Sequence, residues 1–580
     1  MFNIVVSNTV TSTTNKISNL LLLLHYKHKY FQQHLKMNSL RKFTQIVFRQ
    51  NLFPFFPRFS SESSSSSAQG VKGLVVGVYD QDKSKDKSKE DTCIELSPEA
   101  YKVDQSTGGK VINALNGLRG DIGKLGKVTL LSNLSEEYPA IAVSGMGPKN
   151  AKFSDAEYLD EEAENVRIAT GVGAKELQRV GVTEVVVEDF KRPEAAAEGS
   201  ALGLWYYSDI PTQTKLSRLK EEGAGVTDES KTAEDDWMRG LTKAESQNIV
   251  RCLCETPPNF ITPTQFAQRA RDLLCPYGVQ VFARDVRWMK ENHMAALLTI
   301  GSSSIEPPVF LDLNYCSDDP KVNPYIMIGQ GTTFNCGGLC RKECSRMMDA
   351  DYASAATMLG VFKAVAAMRL PINLRGFIPM YEYMLGGLSL KPMDIIETHG
   401  HLIQTPHTDD FHQITLGEAI LHVIKHHCPM CLITLGTLSP GTKAFVGGTS
   451  TVYARCDNMW QHINYAGAVT GDRMWRMPLY NDYADQVLES KGVDILNLGK
   501  SKSGEPSLIA AVLNQLTPAC HDFTYIDITG SSAESNGYVP YLAKGLFTGA
   551  PTRGLIQLLC HLDYCRKQIE SQEKQTATAS

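Results

Sequence analysis

The chain has 580 residues, of which 42% are hydrophobic and 21% are charged. This composition is typical of folded globular proteins, and it excludes a largely disordered chain and a multi-span membrane protein. The length predicts two or more domains, each with its own core, and the formal net charge of −5 argues against a nucleic-acid partner, because nucleic acid is bound through Lys and Arg.

A basic leader precedes the folded part of the chain. The first 61 residues contain no Asp or Glu but eight Lys and Arg residues. From Met37 the chain reads MNSLRKFTQIVFRQNLFPFFPRFSSE, with basic residues among apolar ones and a Ser-rich stretch up to Ser67. This pattern predicts a mitochondrial transit peptide and Ser-rich leader over residues 1–68, and delivery to the matrix. Met1 and Met37 are both candidate start residues. The alternative is an ordinary basic tail.

Two further features of the sequence bear on the compartment. The run from Leu20 to Leu24 is too short to cross a membrane, which needs about 20 apolar residues, and we expect no membrane span. The 14 cysteines lack the dense, even spacing of a secreted disulfide framework. We expect them to be mostly reduced thiols.

Residues 69–235 are predicted to form a small α/β domain that ends in a linker. Residues 71–79, 138–146 and 182–188 have the apolar runs of buried strands, and residues 160–180 have the period of an amphipathic helix. Residues 212–236 are polar with no apolar period, which indicates a surface excursion or linker.

Residues 236–566 are predicted to form a larger α/β domain. A helix over 242–254 ends at Pro257 and Pro258. The strand and helix candidates then alternate, which implies a mostly parallel sheet covered on both faces. The strand candidates are 308–313, 325–329, 373–379, 430–435 and 524–528, and the helix candidates are 350–369, 416–427, 505–516 and 552–562. Active sites in such sheets lie beyond the carboxyl ends of the strands. The polar tail, residues 567–580, is expected to be disordered.

Two segments carry a recognisable pattern. The first is IGQGTTFNCGG, Ile328 to Gly338, and the second is THGHLIQTPHTDDFHQITLGEAI, which follows Glu397. They resemble the two signature stretches of the leucine aminopeptidase (cytosol aminopeptidase) family, which in an active member read roughly GKGITFDSGG and NTDAEGRL. The resemblance continues through NFITPTQFA, EPPVFLDLNY, LPINLRGFIPMYEYMLGGLSLKPMDII, VTGDRMWRMPLY and VPYLAKGLFTGAPTRGLI. It implies a two-domain α/β fold and a hexameric assembly.

The resemblance also implies where a metal site would lie. Active members hold two divalent ions, zinc or manganese, with a Lys, three Asp and a Glu. A second Lys and an Arg assist catalysis, and the Arg binds bicarbonate as a proton shuttle. In this chain four of those positions are replaced and three are kept. The Lys ligand falls at Gln330, the bridging Asp at Asn335, the bridging Glu at Phe411 and the Arg at Gln413, while the kept positions are the catalytic Lys342 and the ligands Asp351 and Asp409.

These replacements predict that the dinuclear site fails to form. Two divalent ions need anionic oxygen or good nitrogen donors, and Asp351 and Asp409 supply only two negative charges. Phe411 offers no donor and fills the volume of a ligand. We therefore expect no bound cofactor, with Lys342 pairing with Asp351 or Asp409.

Replacement metal sites are the alternative. His407, Asp409, Asp410 and His412 lie within six residues and could hold one zinc ion together with Asp351. The cysteine groups Cys336, Cys340 and Cys344, and Cys428 with Cys431, have weaker zinc spacing and are expected to be ordinary thiols.

These observations lead to the hypothesis that the chain is an inactive homologue with a structural or assembly role in mitochondria. In this it resembles the degenerate leucyl aminopeptidases of insect sperm. It would form a homohexamer or a mixed hexamer with relatives. The alternatives are a metal-dependent leucyl aminopeptidase with an altered site and a non-catalytic module that binds peptide amino termini.

Overall fold

The computed structural model describes residues 71–80, 94–118, 121–207, 214–219, 228–339, 350–409, 411–490, 492–499 and 503–579. The chain divides into two compact units. One comprises Ser67–Glu221 and Asp236–Ser580 and holds nearly all described residues. The other comprises Met1–Ser66 and Glu222–Asp235, of which only 228–235 are described, as helix. The predicted transit peptide lies outside the described residues.

The first α/β region consists of seven strands and four helices within the described residues. Its strands are β1 (Lys72–Asp80), β2 (Val128–Ser132), β3 (Ala140–Pro148), β4 (Phe153–Ser154), β5 (Leu159–Asp160), β6 (Glu184–Val187) and β7 (Lys215–Arg218). Its helices are α1 (Pro98–Ser106), α2 (Lys110–Asn116), α3 (Glu161–Arg179) and α4 (Pro193–Gly203).

Strands β2-β3-β1-β6-β7 form a five-stranded sheet in that order, with β2 antiparallel to β3 and the other neighbours parallel. Alternate residues of β1 face opposite cores: Val75 packs with α3 on one face, while Leu74 and Val76 pack with α1 and α2 on the other. Helix α3 begins where the Asp160 side chain accepts the Ala163 N–H, as helix N-caps require.

The second α/β region is larger. Its helices are α5 (Asp228–Cys254), α6 (Pro263–Leu274), α7 (Val286–Glu291), α8 (Ala295–Gly301), α9 (Ala353–Ala367), α10 (His412–His426), α11 (Pro440–Val446), α12 (Asp457–Thr470), α13 (Asn481–Leu488), α14 (Glu505–Gln515) and α15 (Thr552–Ala579). Its strands are β8 (Gln280–Arg284), β9 (Val309–Cys316), β10 (Tyr325–Gly329), β11 (Gly331–Asn335), β12 (Asn373–Tyr383), β13 (Asp394–Thr398), β14 (His401–Thr405), β15 (Cys431–Gly436), β16 (Ser450–Ala454), β17 (Met474–Arg476), β18 (Ile495–Leu496) and β19 (Thr524–Asp527).

A nine-stranded mixed sheet forms the centre of this region, in the order β17-β16-β19-β15-β10-β12-β9-β8, with β11 paired to β12. The central strands β19, β15, β10 and β12 are parallel. Along β10, Tyr325 and Met327 face the core under α9, whereas Ile326 and Ile328 face the core under α10 and α14. The sheet is thus buried on both faces, as parallel sheets are. The expected two-domain α/β fold is confirmed.

Buried ion pairs join the two α/β regions. Glu198 of α4 accepts from Arg167 Nε at 2.6 Å and from an Arg553 terminal nitrogen at 2.9 Å. Arg553 also contacts Asp472 at 3.0 Å. All four side chains are at least 96% shielded from solvent, so each charge depends on its partners.

Two predictions about secondary structure were wrong. Part of the expected linker, residues 212–236, forms β7, which pairs in parallel with β6. Its backbone hydrogen bonds and the packing of Leu216 stabilise this strand despite its polar composition. Residues 228–236 of the expected linker form the beginning of α5. The tail expected to be disordered continues α15 as far as Ala579. Its ion pairs Lys567–Asp563 and Arg566–Glu570 have the spacing of helix neighbours, which supports the helix.

No helix in the described ranges has both the length and the apolar character needed to cross a bilayer.

Candidate functional site

The candidate site lies where the parallel strands β10 and β15 end. Gln330 directly follows β10 and is fully buried. Its Oε1 accepts hydrogen bonds from Thr437 N at 2.8 Å and from Thr437 Oγ1 at 3.2 Å, just beyond β15. The amide at the position of the family's Lys ligand is therefore bound to a neighbouring loop.

A second buried amide, that of Asn335 at the end of β11, lies between Asp351 and His412. Asn335 Nδ2 is 2.9 Å from Asp351 Oδ2 and 2.8 Å from His412 Nε2. Its Oδ1 accepts from Gly337 N at 2.9 Å, which fixes which end of the amide carries the N–H groups. Both N–H groups of Asn335 thus point at atoms that could otherwise be metal ligands.

This arrangement determines the tautomer of His412. Because Nε2 accepts from Asn335, the ring proton lies on Nδ1. Nδ1 is 3.1 Å from Thr332 Oγ1 and 3.0 Å from the Tyr381 hydroxyl, and either oxygen can accept that proton. His412 is accordingly a neutral member of a hydrogen-bonded network, and its Nε2 lies 3.8 Å from Asp351 Oδ2.

Phe411 packs beside this network. Its side chain is fully buried, and its ring centroid lies 4.2 Å from that of Tyr383 and 4.4 Å from that of His412. A bridging carboxylate in the family's pattern is thus replaced by an aromatic ring in close contact with other rings.

Gln413 occupies the position of the bicarbonate-binding Arg. It is buried, and its Nε2 donates to the Asn497 carbonyl at 2.5 Å. Asn497 Nδ2 in turn donates to the carbonyl of His407 at 2.8 Å. His407 and Asp409 are half-buried on the loop before α10. The described part of this loop is held by amide-to-backbone hydrogen bonds.

The structure brings only some of the predicted site residues together. Asn335, Asp351 and His412 meet, whereas within the described ranges no three His, Cys, Asp or Glu donor atoms of this cleft lie within 4.8 Å of one another. Four of the predicted site residues lie outside the described residues: the retained Lys342, Asp410, which follows Asp409, and the thiols Cys340 and Cys344.

The donor set that is described does not fit two divalent ions. Asp351 and Asp409 are the two retained carboxylate positions, and Asp351 already accepts a hydrogen bond from an amide. Two divalent ions carry four positive charges and require several anionic oxygens. No catalytic step through a metal pair can be derived for this arrangement.

The remaining cysteines that were considered as zinc ligands differ in their burial. Cys428 is exposed, while Cys336 and Cys431 are buried. Burial raises the pKa of Cys431 to about 12, which keeps its thiol protonated.

Sequence reasoning missed the polar residues that surround His412 and Gln330. Thr332, Tyr381 and Thr437 take part in the network, and burial raises the pKa of Tyr381, which keeps its hydroxyl protonated. A signal was available, since Thr332 and Thr437 follow the carboxyl ends of β10 and β15, where ligands of such sheets bind.

Comparisons with known proteins agree with this architecture. The model of the cytosol aminopeptidase family catalytic domain matches residues 248–556, and that of the family's N-terminal domain matches residues 75–214. A cytosol aminopeptidase of Xenopus tropicalis is 35% identical over 514 residues, covering 87% of this chain and 94% of that protein. The Homo sapiens cytosol aminopeptidase is 33% identical over 511 residues, covering 87% and 95% respectively.

Solved structures share the fold. A tomato leucine aminopeptidase mutant superposes with a TM-score of 0.70 at 19% identity, covering 86% of this chain and 95% of that one. The bottromycin maturation enzyme BotP, solved in complex with Mn, gives 0.68 at 23% identity, covering 78% and 96%.

Proposed function

This chain belongs to the cytosol aminopeptidase family, and we propose that it is a member without peptidase activity that serves as a structural or assembly subunit in mitochondria. The observation that carries the proposal is the contact of Asn335 Nδ2 with both Asp351 Oδ2 and His412 Nε2. A donor directed at two candidate ligands occupies the electron pairs that a metal would need.

Charge supports the same conclusion. In the family's pattern a carboxylate at position 335 would bridge the two ions, whereas the amide of Asn335 is neutral and donates. At position 330 the amide oxygen of Gln330 accepts from Thr437. Replacing an anionic donor by a neutral amide lowers the affinity for divalent ions.

Packing supports it independently. Phe411 is fully buried between Tyr383 and His412, and close-packed interiors leave few voids larger than a water molecule. A bridging ligand and its metal-bound water would have to displace this ring. Gln413, bound to the Asn497 carbonyl, carries no charge with which to hold bicarbonate.

The structural role rests on what the chain has kept. Both family domains match this chain, and buried ion pairs join them, although four positions of the family's metal-site pattern are replaced. We propose a hexamer, either of this chain alone or mixed with active relatives. The mitochondrial assignment rests on the basic leader, and the likeness to insect sperm proteins rests on the pattern of lost ligands.

The test is manganese binding and hydrolysis of a chromogenic leucine amide by the purified chain, with the assembly mass measured by sedimentation. We expect no manganese at stoichiometric level, no hydrolysis above the no-enzyme rate, and for the purified chain alone a mass six times the chain mass. Two bound ions or rapid hydrolysis would refute the proposal of inactivity. A monomer would refute the assembly role.

A matched variant restores the four replaced positions: Gln330→Lys, Asn335→Asp, Phe411→Glu and Gln413→Arg. We expect it to bind manganese, and its thermal stability to rise with manganese, because binding to the native state alone stabilises that state. A restored variant that is as unresponsive to manganese as the parent would show that these four positions do not determine metal binding.

A second candidate is an altered aminopeptidase with a single ion. The separation of 3.8 Å between His412 Nε2 and Asp351 Oδ2 favours it, since His and Asp can share a zinc ion. It predicts one metal per chain at this pair, which is lost in Asp351→Ala, and slow hydrolysis. The peptide-binding alternative predicts saturable binding of an aminopeptidase inhibitor such as bestatin, without turnover.

A further inference from the structure

A cluster of metal-binding side chains lies away from the aminopeptidase cleft. His462 lies on α12, and His561 and Cys565 lie on α15. One ligand atom from each of the three side chains falls within 4.8 Å of the other two, and this is the one group of three or more His, Cys, Asp or Glu that meets this criterion within the described ranges. Neither the family resemblance nor the proposed function uses any of the three.

Helix geometry brings the trio together. His561 and Cys565 are four residues apart on one helix, which places them one above the other on the same face. Cys565 Sγ is 3.7 Å from His561 Nε2. The His462 and His561 ring centroids are 5.1 Å apart at an interplanar angle of 60°, so His462 reaches the same point from the neighbouring helix.

We propose that His462, His561 and Cys565 bind one zinc ion that links α12 to α15. Zinc bonds of about 2.3 Å to sulfur and about 2.0 Å to nitrogen in tetrahedral geometry place sulfur and nitrogen ligands about 3.5 Å apart. The distance of 3.7 Å between Cys565 Sγ and His561 Nε2 is already close to that value. The partial exposure of the three side chains leaves room for water as the fourth ligand.

The donor set selects the metal. A thiolate and two imidazoles suit zinc and copper, whereas manganese and magnesium prefer oxygen ligands. Burial lowers the pKa of His462, so this imidazole is neutral and able to bind at neutral pH. Burial raises the pKa of Cys565, and the bound ion would deprotonate that thiol, with release of one proton.

The site would strengthen a contact that the fold already makes. Asp472, just beyond the end of α12, pairs with Arg553 at the start of α15 at 3.0 Å, so the two helices run antiparallel. From Arg553 to His561 is eight residues, or about 12 Å along a helix. A zinc ion would therefore link the same two helices about two turns farther along.

Zinc and cobalt titrations of the full-length chain test the proposal. Cobalt reports on the ligands through the charge-transfer absorption of a thiolate–cobalt bond. We expect one zinc ion per chain after desalting, the cobalt band in the parent, loss of the band in Cys565→Ser, and an at least tenfold weaker zinc affinity in His462→Gln. Cys560→Ser is the matched control, because Cys560 is a partly buried thiol on the same helix but outside the trio, and it should keep both metals.

Three results would overturn the proposal. The first is substoichiometric zinc in the parent. The second is zinc binding at another place than the trio. Either zinc is lost equally in Cys560→Ser and Cys565→Ser, or it is kept in Cys565→Ser and lost in Asp351→Asn, and the latter result would place the ion in the aminopeptidase cleft. The third is uptake of copper(I) with no uptake of zinc.

Discussion

Asn335 Nδ2 lies 2.9 Å from Asp351 Oδ2, as a donor facing a carboxylate. In the metal-binding pattern of the family both positions carry carboxylates, which repel each other unless cations lie between them. The amide of Asn335 replaces that repulsion by a hydrogen bond to Asp351.

Restoring the carboxylate alone should destabilise the protein. In Asn335→Asp two carboxylates face each other in a buried site and the donor to His412 is lost, so we expect a loss of about 1–3 kcal/mol in the free energy of unfolding at neutral pH. The loss should shrink as the pH falls and one carboxyl is protonated. Urea unfolding at several pH values measures this loss of stability. The control is Asn314→Asp, at an exposed hydrogen bond on β9, which should change stability by less than about 0.5 kcal/mol. Unchanged stability of Asn335→Asp would contradict the network.

Phe411 should contribute to stability as a core residue. Phe411→Ala removes a fully buried ring, and we expect a loss of about 3–5 kcal/mol, the usual cost of such a truncation. Phe445 is 71% exposed, so Phe445→Ala should cost less than about 0.5 kcal/mol. Equal stabilities of the two variants in urea unfolding would mean that position 411 is not packed as described.

Removing one partner of the ion pairs between the two α/β regions should cost far more stability than removing one partner of a surface pair, because it leaves a buried charge uncompensated. Arg553→Met leaves the buried carboxylates of Glu198 and Asp472 without that partner, and the expected loss is about 3–5 kcal/mol. Arg473 and Glu157 form an exposed pair, and Arg473→Ala should cost about 0–1 kcal/mol. Thermal unfolding compares the two variants, and similar melting temperatures would contradict the assignment.

Glu418 should make stability depend on pH. Burial raises its pKa to about 7 from 4.5, although it accepts hydrogen bonds from Thr398 Oγ1 and from the N–H groups of Ala296 and Leu297. A raised carboxyl pKa means that its contribution is fully present below 4.5 and is lost as the pH rises through about 7. In Glu418→Gln, which cannot ionise, the fall in stability between those pH values should flatten. If urea unfolding gives the same pH profile for Glu418→Gln as for the parent, the Glu418 carboxyl does not cause the fall in stability.

The fold could be predicted from sequence where patterns are strong. The apolar run Tyr325 to Gly329 gave β10 with the bounds that the structure has. Helix α10 begins four residues before the predicted 416, because Phe411, His412 and Gln413 belong to a signature stretch whose polar residues suggested a loop, although their side chains are buried. Burial that arises from tertiary packing leaves no periodic pattern of apolar residues in the local sequence.

The site could be predicted only in part. The resemblance pointed to positions 335 and 351, and the replacement-zinc hypothesis pointed to His412. The hydrogen bonds among the three depend on side chains 16 and 77 residues apart and on the tautomer that Tyr381 and Thr332 permit. No spacing rule gives such contacts. The trio of His462, His561 and Cys565 was also missed, because only the packing of α12 on α15 brings His462 near the H-x3-C pair.

The most direct test of the central claim is the metal content of the Cys565→Ser chain after incubation with manganese and zinc and desalting, with leucine-amide hydrolysis measured on the same sample. This variant lacks the thiolate of the proposed zinc site, so an ion that remains in it and is lost on adding Asp351→Asn would belong to the cleft of Asn335 and Asp351. We predict no stoichiometric metal and no hydrolysis. Two ions per chain together with hydrolysis would contradict the account.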